Sequence, residues 1–541
     1  MRISTGILLF LIVSPFARAQ KIAGPLTVLP GIAEGYTLIN PTNYNKAYLI
    51  NECGQVVNMW ESQYAAAHTI YLRPNGQLVR TNLLVNTVVD GGGGSGGGIE
   101  FLDWDSNVLW SYTYSTNNVR QHHDIQVLPN GNVLILAWEV KSASEAVAAG
   151  RNLIPNGQVW PEHLVEVRPI VPNGGEIVWE WHVWDHLIQD FDASKENYGD
   201  VGSHSELIDL NFTTIGQKDW IHANAIDYNP QLDQIMISAH SFNEIWVIDH
   251  QTTTAQAASH TGGRYNKGGD LLYRWGNPMA YRQGTGTDTK LLAQHNTHWI
   301  ANGLPYGGKI MYFNNAPDRF YSSVEIINPP INVDGSYNLA GNAYGPAVPD
   351  LVYTSVPQTS FFSRIMGSAQ ILANGNLFIG SSLQGRTFEV KTNPNNQIVW
   401  DYKSPITVAG IVGRTDPTTN PGYAARPIFR STKYPANYPA FSGRILIPGE
   451  PIEGEPWADC AVITGLEDKP EIAIHFYPNP ANDWLTVESK GCIRVALFDG
   501  QGKKVFEGED ENQLTIGTST MPSGIYLLRV KDKVEKVLIR H

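Results

Sequence analysis

The chain has little charge, little cysteine and no long helical pattern, and each shortage excludes a class of protein. Charged residues make up only 16% of the 541 residues while hydrophobic residues make up 42%, a balance typical of folded globular proteins. Lysine and arginine number 38 against 51 acidic residues, and the net charge of -13 argues against nucleic acid as a partner. No long stretch of helical periodicity separates the apolar runs, which disfavours a parallel α/β fold.

Long apolar runs are also scarce, and the one at the N-terminus indicates export. Residues 1–19 combine Arg2, an apolar run from Gly6 to Pro15 and the small-residue site Ala17-Arg-Ala, which together are typical of a signal peptide. The run is too short to span a bilayer, and no other segment is apolar enough to do so. We therefore predict an exported protein without a transmembrane segment.

The three cysteines allow few pairings. Cys53 lies in the first of the repeated units described below, and Cys460 lies just after the last of them. A disulfide between these two would close a ring of repeats, and two buried free thiols are the alternative. Cys492 belongs to the C-terminal segment and is predicted to be unpaired.

One kind of segment, which begins with histidine, recurs along the chain. Histidine begins an apolar run that ends in Asn-Gly seven residues later at His68, His123 and His295, and His222 keeps the same length with Asn-Pro. Gly367 begins a fifth copy, with glycine in the place of histidine. An apolar run closed by Asn-Gly predicts a strand, a turn and a second strand. Equivalent positions in a repeat occupy equivalent places in the fold, so a ring would bring these histidines together on its axis.

A second element, a strand pair that usually ends in tryptophan, alternates with the first. It occurs six times, at residues 47–60, 99–110, 164–179, 245–275, 324–353 and 387–400. Two strands of each kind make a unit of about four strands, the composition of a propeller blade, so we predict an all-β, six-bladed β-propeller. The insertion between Trp181 and Trp220 is predicted to lie on a rim and help to build the substrate pocket. The glycine-rich run at residues 91–98 is interpreted as a flexible loop between strands.

The C-terminal region is a separate unit. A segment rich in proline, glycine and glutamate predicts a linker over residues 448–471. Beyond it, the motifs Tyr477-Pro-Asn-Pro-Ala, Leu497-Phe-Asp-Gly and Pro522-Ser-Gly-Ile-Tyr and the basic end resemble the C-terminal sorting domain of type IX secretion substrates. The resemblance covers residues 472–541. It implies a small β-sandwich-like domain, export through the periplasm by the type IX machinery, and release or attachment at the cell surface.

Convergent histidines support two kinds of chemistry. Neutral imidazole is a nucleophile, a general base or a metal ligand, and imidazolium holds an anion. The cluster is therefore either a metal site, as in a metal-dependent hydrolase, or a transfer site with a covalent histidine. The metal interpretation lacks the usual carboxylate complement, although Asp124 follows His123. A third alternative is a non-catalytic propeller that binds a glycan or a surface protein.

Several motifs of residues 20–447 favour the transfer site. Trp220-Ile-His-Ala-Asn, Gln294-His295 with Phe313-Asn-Asn, Ser360-Phe-Phe-Ser and Phe429-Arg-Ser-Thr-Lys-Tyr-Pro resemble the bacterial arylsulfate sulfotransferases. The resemblance implies a six-bladed propeller that moves a sulfuryl group from an aryl sulfate to a phenol. The group is carried by a sulfated histidine, and no nucleotide donor, cofactor or metal is implied.

The resemblance also implies roles for individual residues. By this resemblance, His295 is the nucleophile, and His222 and Asn224 bind the sulfate and bridging oxygens. His123 is a further catalytic histidine, with His122 as the less favoured substitute.

One position departs from the family. Where the family has an arginine eighteen residues after the histidine of the His-x-Asn motif, this chain has His240. We expect His240, His68 and Arg364 to bind substrate, with Arg364 compensating for the missing arginine. The expected partners are an aryl sulfate donor, a phenol acceptor and the type IX machinery, and a homodimer is an open expectation.

Overall fold

The structure is a computed structural model that describes residues 22–90, 93–154, 157–212, 217–392, 395–414, 425–454, 460, 475–530 and 533–541. The predicted signal peptide and most of the predicted linker lie outside the described residues. The domain limits at residues 19, 447 and 471 therefore stay predictions.

Six antiparallel sheets form the main body of the described chain, and each is one propeller blade. The first strands of consecutive blades contact each other around a central channel. From the channel outward, the strands are Thr432–Pro435, Gly35–Ile39, Lys46–Ile50 and Val56–Glu61 in blade 1; Ala66–Leu72, Leu78–Leu83, Gly97–Leu102 and Val108–Thr113 in blade 2; Val119–Val127, Val133–Glu139, Glu162–Pro169 and Gly175–His182 in blade 3; Ala223–Asn229, Gln234–Ala239, Glu244–Asp249 and Tyr273–Trp275 in blade 4; His295–Trp299, Ile310–Asn314, Ser323–Ile327 and Leu351–Tyr353 in blade 5; and Ser368–Ile371, Leu377–Ser381, Arg386–Lys391, Gln397–Lys403 and Gly24–Val28 in blade 6.

The remaining elements are short and lie in the connections. Two α-helices span Ala143–Ala148 and Thr254–Ala257, and a capping box begins each of them. The 3-10 helices are Val183–His186, Val201–Ser203, His240–Phe242, Pro278–Tyr281, Gly286–Asp288, Pro317–Arg319, Gln358–Ser360, Ser382–Gln384 and Pro439–Phe441. Small two-stranded sheets pair Lys141–Ser142 with Gln158–Val159, Leu187–Ile188 with Ile208–Asp209, Leu339–Ala340 with Ala343–Tyr344, and Ile406–Thr407 with Gly410–Ile411.

The two ends of the propeller region close the ring together. Thr432–Pro435 is the innermost strand of blade 1 and pairs with Gly35–Ile39, so that blade joins chain segments about 400 residues apart. Gly24–Val28 adds a fifth strand to the outer edge of blade 6. Of the two alternatives for Cys53 and Cys460, the structure has the disulfide, with the two Cα atoms 5.7 Å apart. No copy of the histidine segment supplies the inner strand of blade 1, because that strand comes from the far end of the propeller region.

The recurrent tryptophan of the outer strand ties blades 1, 2, 4 and 6 to the blade that follows each of them. Trp60 of blade 1 donates its indole N–H to the carbonyl oxygen of Asp103 in blade 2, at 2.9 Å. Trp110 donates to Gly174 of blade 3, and Trp275 of blade 4 to Pro346 of blade 5. Trp400 of blade 6 donates to Glu52 of blade 1, which completes the ring. All four acceptors lie between the third and fourth strands of the neighbouring blade. A buried indole N–H needs an acceptor, so the repeated tryptophan sets the spacing of the blades.

The hydrophobic core is divided among the six interfaces between blades. One cluster of buried side chains lies in each interface, for example Leu38, Leu49, Trp60, Ile70 and Leu78 between blades 1 and 2. The sixth interface, between blades 6 and 1, has its own cluster around Trp400. Because both faces of most strands are covered, a middle strand such as Leu78–Leu83 is buried almost along its whole length, whereas the outer strand Gly175–His182 has exposed positions as well as buried ones.

The C-terminal domain is one five-stranded antiparallel sheet that curls on itself. Its strands are His475–Tyr477, Trp484–Phe498, Lys504–Gly517, Gly524–Val530 and Lys533–Ile539. The long strand Trp484–Phe498 pairs with three of the others, and a bridge between Ala481 and Ile539 joins the two ends of the sheet. A separate apolar core fills the inner face, which gives the sandwich-like form that the sequence predicted.

Within the described residues, the helices are too short and insufficiently apolar to cross a membrane.

Candidate functional site

Five histidines from four blades surround one cavity of about 320 Å³ at the end of the central channel. They form an arc in which neighbouring ring centres are 4.7–5.3 Å apart. In order along the arc they are His68, His123, His222, His240 and His295. The other lining residues are Thr42, Asn43, Ala67, Gly93, Gly94, Ser95, Ile365, Met366 and Phe429.

Irregular backbone in or beside the inner strands accompanies four of these histidines, all except His240, which begins a 3-10 helix. The pairing register shifts between Ala66 and Ile70 in blade 2, and equivalent shifts occur beside His123, His222 and His295. His123 and His222 also have positive φ angles of 47° and 52°. A bulge re-aims a side chain and a left-handed residue stores strain, and both features are concentrated at functional sites. The shared sequence register therefore reflects a shared local distortion.

Glycines allow the close approaches that enclose the cavity. A Cβ atom on Gly94 would lie 1.9 Å from the His123 ring, and one on Gly367 would lie 2.4 Å from the Phe313 ring. Gly94 also accepts a hydrogen bond from the His123 backbone N–H. The interpretation of the glycine-rich run as a plain flexible loop is therefore corrected: residues 93–95 are a wall of the cavity. The same argument explains why Gly367 stands where the other repeats have histidine.

Hydrogen bonds define the tautomer of His295. The Asn315 side-chain amide donates to the carbonyls of Ser363 and Met366, so its oxygen is free to accept. His295 Nδ1–H donates to that oxygen at 2.8 Å, which leaves the lone pair on Nε2. The Met366 backbone N–H reaches this lone pair at a long 3.3 Å. Burial lowers the pKa of His295 to about 4, so the ring is neutral at physiological pH and Nε2 carries the lone pair.

His222 is the one histidine of the arc whose pKa is raised. Its burial alone would lower the pKa, but the Asp219 carboxylate 2.5 Å from Nδ1 outweighs burial and raises the pKa above its usual value. Asp219 also accepts the Trp138 indole N–H at 3.0 Å. Burial, followed by the charge of Asp219, raises the pKa of Glu162, which keeps this second carboxyl protonated. His222, at the middle of the arc, is therefore the histidine of the five that is most readily protonated.

The other three histidines are neutral. Burial and then the charge of His222 lower the pKa of His68 to about 4, and the same causes lower the pKa values of His123 and His240 well below the usual value. Nδ1 of His68 and Nδ1 of His240 are buried without a hydrogen-bond partner among the described residues. Neutral rings with unused polar atoms around one cation form a site for an anion, since each ring can turn an N–H toward bound oxygen atoms.

The apolar side of the cavity is formed by Phe429, Ile365, Met366 and Ala67. The Phe429 ring packs edge-on against His68 with centres 4.9 Å apart. The site thus has a polar arc for an anionic group and an aromatic wall for a planar ring.

Three residues named from the sequence lie outside the cavity lining. Arg364 is exposed, although Ile365 and Met366 beside it line the cavity. Asn224 is buried below the cavity and donates to the backbone carbonyl of Gln294, directly before His295. His122 stacks on Trp138 and exchanges a hydrogen bond with His123 at 2.8 Å. It is His123, and not His122, that faces the cavity.

Sequence reasoning missed several residues of the site. Asp219 precedes His222 by three residues, and a carboxylate so close to a candidate histidine was a usable signal. Asn315 and Phe429 lay inside quoted motifs without an assigned role. The insertion after Trp181 contributes Asp219 but lines a different cavity, of about 630 Å³. The expectation that it forms the wall of the histidine pocket is therefore corrected.

Two family models match parts of the chain. The family model described as Arylsulfotransferase (ASST) matches residues 102–423, more than half of the chain, and the model of a secretion system C-terminal sorting domain matches residues 475–540. No curated protein matches the chain.

Solved structures resemble the chain only distantly. A protein of unknown function from Bacteroides caccae is 12% identical over 68% of this chain and 94% of its own, with a TM-score of 0.36. A virginiamycin B lyase from Staphylococcus aureus is 10% identical over 71% and 86%, with a TM-score of 0.33. Kuenenia stuttgartiensis hydrazine synthase is 13% identical over 52% and 68%, with a TM-score of 0.29. The propeller assignment rests on the six sheets.

The sorting domain directs the chain to the type IX secretion system and so to the cell surface or the medium. The chain belongs to the arylsulfotransferase family, as a secreted, six-bladed propeller of sulfotransferase type.

Proposed function

We propose that the chain transfers a sulfuryl group from an aryl sulfate ester to a phenolic acceptor through a sulfated His295, without a nucleotide donor. One observation carries the proposal. His295 is neutral and its tautomer leaves the lone pair on Nε2, while His222, whose pKa is raised, lies at the centre of the histidine arc of which His295 is the last member. A nucleophile and an anion-binding cation are the two groups that sulfuryl transfer from a monoanionic ester requires.

In the first step, His295 Nε2 attacks the sulfur atom. The N–S bond forms as the bond between sulfur and the aryl oxygen breaks, and the electron pair of that bond leaves with the phenolate. His222, as imidazolium, donates its proton to the phenolate and becomes neutral. The sulfated ring keeps its proton on Nδ1, held by Asn315 at 2.8 Å.

In the second step, the acceptor phenol replaces the donor phenol. Neutral His222 takes the phenolic proton, the acceptor oxygen attacks sulfur, and the N–S bond breaks with its electron pair returning to His295 Nε2. Both histidines are then in their starting states. One residue acting as acid and then as base is what microscopic reversibility requires of two symmetric half-reactions.

The other histidines stabilise the transferring group. Its charge spreads over three oxygens, and fixed donors aimed at those oxygens supply most of the rate acceleration. We assign this role to His123, His240 and His68, which line the cavity. Asn224 acts through the backbone of Gln294 as a positioning residue for His295. Arg364 is proposed to contact the donor or acceptor only at the cavity entrance, because it is exposed.

Incubation of purified protein with a chromogenic aryl sulfate, with and without added phenol, tests the proposal. Product release that depends on the phenol, together with a sulfated acceptor, supports transfer. Release without acceptor would favour a hydrolase built on the same histidines, and absence of release would favour a propeller that binds a glycan or surface protein.

Restoring the family's arginine at position 240 is expected to preserve or raise turnover. The guanidinium is always charged and can hold two sulfate oxygens, whereas burial keeps His240 neutral. We therefore expect His240→Arg to match or exceed the native protein and His240→Ala to lose about 10²-fold in kcat/KM. Steady-state kinetics with one aryl sulfate measures both. If the arginine variant is as poor as the alanine variant, position 240 does not bind sulfate.

Deletion of residues 472–541 is expected to leave a folded, active propeller in the periplasm. The deleted domain has a core of its own, and the propeller's six interfaces contain none of its residues. Transferase activity in medium and periplasm of a host with type IX machinery measures the outcome. Normal activity of the truncated protein in the medium would show that another segment directs export.

A further inference from the structure

A second group of metal-ligand side chains lies outside the channel. His186, His260 and Asp270 bring one ligand atom each within 4.8 Å of one another, the one such group of three in the part of the chain that the structure describes. Nδ1 of His186 and Nδ1 of His260 both lie 2.8 Å from the same carboxylate oxygen of Asp270. His186 and Asp270 are buried, while His260 is exposed. The proposed sulfotransferase mechanism uses none of the three.

The hydrogen bonds of His186 make this arrangement unusual. Its Nε2 lies 2.8 Å from the carbonyl oxygen of Ala257, and a carbonyl only accepts, so Nε2 carries a proton. In a neutral ring, Nδ1 then has a lone pair, and that lone pair points at a carboxylate oxygen. Two lone pairs at 2.8 Å repel unless a cation lies between them. The cation is either a proton or a metal ion.

We infer that His186 Nδ1, His260 Nδ1 and the Asp270 carboxylate bind a divalent transition metal, with Zn²⁺ as the best fit. Two imidazoles and one carboxylate are ligands that zinc takes, and water completes a tetrahedral set. A metal-bound histidine typically donates its other ring N–H to a backbone carbonyl, as His186 does to Ala257.

The surroundings hold His186 and leave His260 able to adjust. Trp181 stacks on the His186 ring, with centres 5.6 Å apart, and a Cβ on Gly269 would lie 2.6 Å from His186 Nε2. Tetrahedral bonds of about 2.0–2.1 Å place ligand atoms roughly 3.3 Å apart. With a metal bound, the distance from each histidine Nδ1 to the Asp270 oxygen would therefore be about half an ångström longer than the present 2.8 Å. The exposed His260 side chain has room for that movement.

The site joins two blades and opens on a cavity. His186 ends the 3-10 helix that follows the outer strand of blade 3, while His260 and Asp270 lie in the connection between the last two strands of blade 4. His260 also lines the cavity of about 630 Å³ that the blade 3 insertion forms. A metal ion would therefore tie that insertion to blade 4 and present its water toward the cavity.

Titration of the chelator-treated full chain with Zn²⁺ tests the inference, using calorimetry for stoichiometry and melting temperature as a second readout. We expect one zinc ion per chain and a melting temperature that rises with zinc concentration. Co²⁺ in place of zinc is expected to give the visible absorption of tetrahedral coordination. His260→Ala, which removes only an exposed side chain, is expected to weaken binding by about 10- to 100-fold, a range typical of damage to a metal site.

The matched control is His204→Ala. His204 lines the same cavity and is paired with Glu206 outside the cluster, so this variant is expected to bind zinc as the native chain does. Equal zinc affinity in the His260→Ala and native proteins would overturn the inference. So would absence of binding at micromolar zinc, which would mean that only a proton lies between His186 and Asp270.

Discussion

Replacing His295 with alanine is expected to abolish both cleavage of an aryl sulfate and transfer to a phenol, with a loss of kcat on the order of 10⁴ or more. The reason is that no other cavity histidine combines a neutral ring with a tautomer set by a side-chain amide such as Asn315. The remaining donors would still bind the ester, so KM is expected to change much less than kcat. Stopped assays with and without acceptor measure both.

The matched control for this variant is His298→Ala. His298 lies three residues further along the same inner strand, and burial lowers its pKa to about 4 as well, but it lines a different cavity of the channel. Its replacement is expected to leave turnover close to native. If both variants lose activity equally, the loss comes from damage to the strand.

Mass spectrometry identifies the intermediate directly. Native protein quenched with donor and without acceptor is expected to gain one sulfuryl group on the peptide that contains His295, and addition of phenol is expected to remove it. A sulfuryl group on another residue, or full activity of the alanine variant, would refute His295 as the nucleophile.

Replacing Asp219 with asparagine is expected to have the second largest effect, about 10²- to 10³-fold in kcat at neutral pH. Without the carboxylate, nothing offsets the burial of His222, and its pKa falls below the usual value. The imidazolium that is proposed to bind the sulfate and protonate the leaving phenolate is then lost. Asparagine can still accept the Trp138 indole N–H, so the packing is expected to survive.

The pH profile distinguishes this role from a structural one. In the native protein, His222 has a raised pKa, so the first step is expected to proceed at neutral pH and to decline as the pH rises through that pKa. In Asp219→Asn the decline is expected at lower pH, and acidification is expected to restore part of the rate. A variant that is slower at every pH, with an unchanged profile, would contradict the assignment.

Glu162→Gln is the control for charge in this group. Glu162 is protonated because burial and the charge of Asp219 raise its pKa, and glutamine has nearly the same shape as a protonated glutamate. Its oxygen can still accept the Ala223 backbone N–H at 2.7 Å. The profile is therefore expected to remain native. A large shift would mean that Glu162 is ionised and contributes to the charge of His222.

Most of the architecture could be predicted because it is local and repeated. The distance from histidine to Asn-Gly encodes the first strand pair of five blades, and the tryptophan strand pairs give all six second halves. The inner strand of blade 1 could not be predicted in this way. Thr432–Pro435 is short and carries no repeat motif, and its pairing with Gly35–Ile39 depends on ring closure across the whole propeller.

The residues of the site, too, could be predicted only in part. The register and family motifs led to His68, His123, His222, His240 and His295, which line one cavity. Arg364 and Asn224 were predicted to contact substrate, but the structure places Arg364 at the surface and Asn224 against the backbone of Gln294. A motif specifies which residue is present, whereas the direction of its side chain depends on neighbours from other blades.

The sequence by itself determined the strand repeats, the number of blades, the histidine arc and the C-terminal sorting domain, because periodicity and short motifs are properties of neighbouring residues. Only the tertiary structure decided the charge on each histidine. Burial lowers the pKa of four of them, and Asp219 raises that of the fifth, although all five are the same residue type. Solvation and the distance to a carboxylate set those values, and both exist only once the blades have closed into a ring.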